Sequence, residues 1–99
     1  MKEKKQVTFL NWLCDVSTEH KYDNDRTAIT LTDAKTGEPV LTASTNLPEL
    51  PCGENEAWIK EYSENNGIER VLINAGIISK PIASTVTFGI SINKCKILI

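Results

Sequence analysis

The most regular hydrophobic pattern in the chain lies within WIKEYSENNGIERVLINAGI, residues 58–77. Ile68, Val71, Leu72 and Ala75 recur at i, i+3, i+4 and i+7, a spacing that stacks them on one stripe of an α-helix. Ser63, Asn65 and Asn66 stand before the stripe, where a polar side chain can accept from the orphan N–H groups of a first turn. Gly76 follows it, where a left-handed cap favours a residue without Cβ. The pattern predicts a helix over about 64–75, entered from a short extended stretch, Ala57 to Tyr62. Gly67 in the first turn costs up to about 1 kcal/mol relative to Ala. Burial of Ile68, Val71 and Leu72 outweighs it, at about 1.5–3 kcal/mol each.

The remaining apolar positions follow the period of two expected of strands. Val7 to Val16 reads either as one long strand bulged near Leu10 or Asn11, with Leu10, Trp12, Cys14 and Val16 in phase, or as a strand buried on both faces. Asp23-Asn24-Asp25 is a turn, because Asn and Asp tolerate left-handed backbone. Thr27 to Thr32 and Val40 to Leu47 alternate cleanly around the turn sequence DAKTGEP, which predicts an antiparallel hairpin. Pro48 to Glu56 is a loop. Thr85 to Ile99 reads as the longest strand, with Val86, Phe88, Ile90 and Ile92 in one phase and Cys95, Ile97 and Ile99 in the other. The phase change predicts a bulge at Asn93-Lys94, with a hairpin at Asn93 as the alternative. The expected fold is α+β: an antiparallel sheet of four to five strands with the helix on one face, in the order β-β-β-(β)-α-β. It forms a single domain over 6–99 behind a disordered basic tip at 1–5.

Composition narrows the function classes without choosing one. A net charge of −2 over 99 residues lacks the basic balance of a nucleic-acid-binding surface, so nucleic acid is not an expected partner. No apolar run reaches the roughly 18–20 residues that span a bilayer, and the apolar stretch after the N-terminal lysines is broken by Asn11 and Asp15. The cysteines Cys14, Cys52 and Cys95 are odd in number and lack C-x-x-C spacing, which suits a reducing cytoplasm. His20 is the sole histidine, with no orienting partner marked in sequence, so a nucleophile–base pair has little to build on. Cys52, in LPCGEN, is the thiol expected to be most exposed, but it stands about ten residues from the helix start that would activate it. Asp23-Asn24-Asp25 resembles the opening of a calcium loop. The sixth and twelfth loop positions hold Ala28 and Ala34 where Gly and Glu are required, so no metal site is expected. No phosphate-binding glycine motif occurs, and no cofactor is expected.

TASTNLP (42–48), WIKEYSENNGI (58–68) and AGI (75–77) together resemble an uncharacterised family of small proteins encoded on conjugative elements, plasmids and phages of gut-type Firmicutes and Bacteroidetes. Its pattern runs through D-x-x-T-G-E-P, A-T-x-N-L-P, I-K-D-Y-S-E-N-x-G and A-G-I/V. The matching stretches here are Asp33 to Pro39, Ala43 to Pro48, Ile59 to Gly67 and Ala75 to Ile77. Glu61 replaces the usual Asp, and Asn66 stands where Glu is frequent. The resemblance implies a bacterial mobile-element protein of the cytoplasm and brings no catalytic residues.

The functional expectation is therefore a small non-enzymatic interaction module, with a protein partner held by Trp58, Lys60, Tyr62, Ser63, Glu64, Asn65 and Asn66, or by an exposed strand edge. Trp58 and Tyr62 supply the aromatic component of such a patch. Three alternatives remain: an anion or nucleotide held by the N–H groups of Asn65 to Ile68, an enzyme using Cys52 or His20, and a structural or homo-oligomeric role through pairing of a strand edge with a second copy of the chain.

Overall fold

Left-handed backbone at two pairs of residues decides where the strand-forming sequence is cut. Leu10 and Asn11 have φ of 51° and 66°, and Phe88 and Gly89 have φ of 50° and 76°. Positive φ at both central residues is the type I′ turn, whose twist matches that of the strands it joins. In the computed structural model, which describes residues 5–99, the first turn separates strands Lys5–Phe9 and Trp12–Lys21. The second separates Ala83–Thr87 from Ile90–Lys96. Both long strands expected from sequence are thus hairpins. The bulge expected at Asn93-Lys94 is replaced by a turn five residues earlier, and Asn93 stays within its strand.

In chain order the strands are β1 (Lys5–Phe9), β2 (Trp12–Lys21), β3 (Thr27–Asp33), β4 (Pro39–Thr42), β5 (Ser44–Thr45), β6 (Glu56–Ile59), β7 (Ala83–Thr87) and β8 (Ile90–Lys96). A 3-10 turn at Ser63–Asn65 and the helix α1 (Ile68–Asn74) lie between β6 and β7. The class is α+β, as expected, but the strands form two four-stranded sheets rather than one. The first is the meander β1-β2-β3-β4, and the second has the order β5-β6-β8-β7. Every named pairing is antiparallel.

The expected strand Val40 to Leu47 breaks at Ala43, where the chain leaves one sheet for the other. The Ala43 N–H donates to the Ile29 carbonyl at 2.7 Å, and its carbonyl accepts from the Lys60 N–H at 2.7 Å. Ser44 reinforces this corner, its Oγ accepting from the Ile29 N–H at 2.9 Å and lying 2.8 Å from the Tyr22 hydroxyl. The β3–β4 hairpin forms where DAKTGEP predicts it. Asp33 Oδ1 accepts from the Lys35 and Thr36 amides at 2.7 and 3.3 Å, an Asx turn completed by left-handed Gly37.

One apolar cluster draws on both sheets and the helix: Val7, Phe9, Cys14, Val16, Ile29 and Leu31 from the first sheet, Ala57, Ile59 and Cys95 from the second, and Ile68 and Leu72 from α1. The helical stripe is only partly used, with Val71 half-buried and Ala75 exposed. Leu10 and Trp12, in phase with the core by alternation, are exposed because the turn takes them out of register. β8 lies between β6 and β7 with Ile92 and Cys95 buried on opposite faces, which explains the apparent phase change. Of the basic tip, Lys5 opens β1, and residues 1–4 lie outside the described region.

Candidate functional site

The stretch from Glu56 to Gly67 turns from a strand into a helix, and its polar residues are spent on that turn. The helix begins later than expected, at Ile68, because Asn66 has a ψ of 123° and Gly67 is left-handed at φ 97°. A Cβ at position 67 would lie 3.8 Å from the Phe9 ring, an ordinary contact, so the backbone conformation is what calls for glycine there. Glu61 closes the start of the helix: its carboxylate accepts from the Gly67 N–H and, at 2.7 Å, from the Glu69 N–H. The neighbouring amides of Asn65 and Asn66 donate to the Tyr62 and Ser63 carbonyls at 3.2 Å each. Of the donors expected to hold an anion, those of Asn65, Asn66 and Gly67 thus already have internal acceptors, one of them a carboxylate at the positive end of the helix.

Asn65 is fully buried, and its Nδ2 donates to the Thr42 carbonyl at 2.8 Å, tying the 3-10 turn to the end of β4. Its Oδ1 finds no donor among the described residues. Trp58 is 4% exposed. It pairs with Lys94 of β8, whose Nζ lies 5.4 Å from the ring centroid, a cation–π contact. The same ammonium donates to the Pro51 carbonyl at 3.2 Å and pairs with the Glu56 carboxylate at 3.4 Å, so it lies between the ring and the loop. Arg26 ties down that loop from the other side, donating to the carbonyls of Leu47 (2.7 Å), Pro48 (3.4 Å) and Leu50 (2.6 Å). The Trp58 Nε1 is buried without an acceptor among the described residues.

The seven residues expected to form a surface patch therefore do not share one. Trp58 and Asn65 are internal, and Lys60 and Tyr62 are half-buried, with the Lys60 ammonium 5.8 Å from the Tyr62 ring. Ser63 and Asn66 are exposed, and Glu64 is the middle residue of the 3-10 turn. The aromatic patch fails because burying indole area outweighs the cost of an unpaired N–H once Lys94 and the loop are in place.

The candidate catalytic residues are not assembled. His20 is exposed in β2, opposite Ala28 of β3. Cys52 is half-buried and its Sγ donates to the Glu56 carbonyl at 3.2 Å. Burial pushes the Cys52 thiol above its ordinary pKa and Glu56 adds to the effect, against Arg26 and Lys94, which favours the protonated form. Burial pushes Cys95 up to about 12. Among the described residues no group of His, Cys, Asp or Glu is placed to hold a metal ion. An open cavity of about 460 Å³ between the β2–β3 turn and the C-terminal segment is lined by Lys21, Asp25, Glu54 and Asn55 among others. Its lysine already donates to Thr27 Oγ1 at 2.9 Å.

What stands out instead is the β7–β8 hairpin. Phe88, at its tip, is 99% exposed, Val86 is 70% exposed and Ile82, just before β7, is 44% exposed. Sequence alternation assigned Val86 and Phe88 to the face of buried Ile92. Gly89 was the one available sign of a turn, but Phe at the preceding left-handed position is an unusual turn residue. The β1–β2 turn shows the same feature more weakly, with Leu10, Trp12 and Leu13 exposed.

No protein-family profile, curated protein or solved structure matches this chain. No helix among the described residues is long and apolar enough to cross a membrane.

Proposed function

We propose that this protein is a small non-enzymatic binding module that engages a protein partner through the β7–β8 hairpin. The observation that carries the reading is Phe88, almost wholly in water on a left-handed backbone that disfavours a side chain with Cβ. Folding gains nothing from a phenyl ring placed there, whereas covering it in a complex contributes on the order of 1.5–3 kcal/mol. Aromatic residues that anchor interfaces are used in this way. Val86 and Ile82 extend the apolar surface beside it. The scattered thiols and lone histidine support a role without chemistry of its own, and the resemblance to mobile-element proteins supports a cytoplasmic accessory role.

The test is capture of the tagged protein from its host, comparing the natural sequence with Phe88→Asp. Because Phe88 is exposed, the variant is expected to keep its circular dichroism spectrum and melting temperature and to lose the specific stoichiometric partner. A folded Phe88→Asp protein that retains that partner overturns the assignment.

A further inference from the structure

We infer that the partner of this hairpin is a second copy of the chain, paired antiparallel along β7 about a two-fold axis at Thr85. This rests on the hairpin being the binding element.

β7 is the outer strand of its sheet. The two-residue turn makes Thr87 and Ile90 the hydrogen-bonded pair next to it, so by alternation Thr85 also faces β8, and Ser84 and Val86 point their N–H and C=O groups to the open side. Two copies centred on Thr85 set Ser84 opposite the second copy's Val86 and form four backbone hydrogen bonds. The same register brings the turn that carries exposed Phe88 towards the segment before the second copy's β7, where Ile82 is also exposed.

The edge offers no charge with which an oppositely charged partner could pair. From Pro81 to Ser91 the chain carries no charged residue, so two acidic molecules meet there without like charges opposed. The other edges are blunted. β1 begins with Lys5 and lies against α1, β4 begins with Pro39, and β5 has two residues. β7, Ala-Ser-Thr-Val-Thr, has neither charge nor proline. One strand seam buries less than the roughly 800 Å² per partner of a standard stable complex. The dimer is therefore concentration-dependent.

Sedimentation of the whole chain from about 10 µM to 1 mM is expected to show a monomer–dimer equilibrium, with Val86→Lys raising the midpoint at least about tenfold. The register is tested separately in a Cys52→Ser background. Thr85 faces its own copy in a non-hydrogen-bonded pair, where Cα atoms are about 4.5 Å apart. Thr85→Cys should oxidise to a covalent dimer and Ala83→Cys should not. A chain that stays monomeric throughout overturns the self-pairing, as does a dimer indifferent to Val86→Lys and not cross-linked at position 85. Loss of a different partner with Phe88→Asp would then leave the hairpin as the binding element, so the two failures are distinct.

Discussion

Trp58 shows how a residue that looks like a binding aromatic becomes a structural one. Its ring lies under the Lys94 ammonium, and its indole N–H has lost water without gaining an acceptor among the described residues. Removing the ring and removing the N–H should therefore have different costs. Trp58→Ala is expected to lose about 3–5 kcal/mol in urea denaturation, as large aromatic-to-small core substitutions do. Trp58→Phe keeps a ring beneath Lys94 and discards the orphaned donor, so it should cost less than half as much. Equal losses would show that the indole N–H is satisfied in solution. Glu61 makes the complementary point. Nothing in its spacing from Gly67 matches a standard capping box, yet its carboxylate does the work assigned by sequence to Ser63, Asn65 and Asn66.

At the scale of elements, the two type I′ hairpins carry apolar residues where Asn is preferred. Phe88→Asn gives the left-handed position a residue that tolerates it and removes an exposed ring. We expect a stability gain of about 0.5–1 kcal/mol, in the range of optimised turns and caps, measured as a higher denaturation midpoint, together with loss of binding. A destabilised Phe88→Asn would mean that the ring packs within the monomer. The helix, by contrast, was legible in advance. Ile68, Val71 and Leu72 are local neighbours on a helix whatever they pack against, so their spacing carried the element. Its start was not legible, because the break at Asn66 and Gly67 depends on the tie from Asn65 to Thr42, 23 residues away.

Across the whole molecule, the 47–53 loop is held by Arg26 of the first sheet's turn and by Lys94 of the second sheet. Glu56 links these parts, accepting from the Gly53 N–H at 2.8 Å and pairing with Lys94. The Gly53 bond, with Lys94 behind it, lowers the Glu56 pKa from 4.5. A carboxylate depressed in the folded state contributes stability above its unfolded pKa, and that contribution is lost as pH falls through the folded value. Thermal unfolding should therefore show a drop in stability on acidification below 4.5, shallower in Glu56→Gln. An identical pH profile in the variant would remove Glu56 from the fastening of the loop.

The amino-acid sequence by itself determined the α+β class, the helical stripe, the Asp33 to Pro39 turn and the uncharged run from Pro81 to Ser91. These rest on local periodicity, local turn chemistry and composition. Tertiary structure alone decided that the strands divide into two sheets at Ala43, that Trp58 is covered while Phe88 and Trp12 are not, and that Glu61 rather than a ligand occupies the helix start. Alternation says that a strand has two faces and does not say which is covered. That is decided by groups far along the chain, such as Lys94 reaching Pro51 across 43 residues, and by left-handed backbone at Leu10 and Phe88, whose residue types do not announce it.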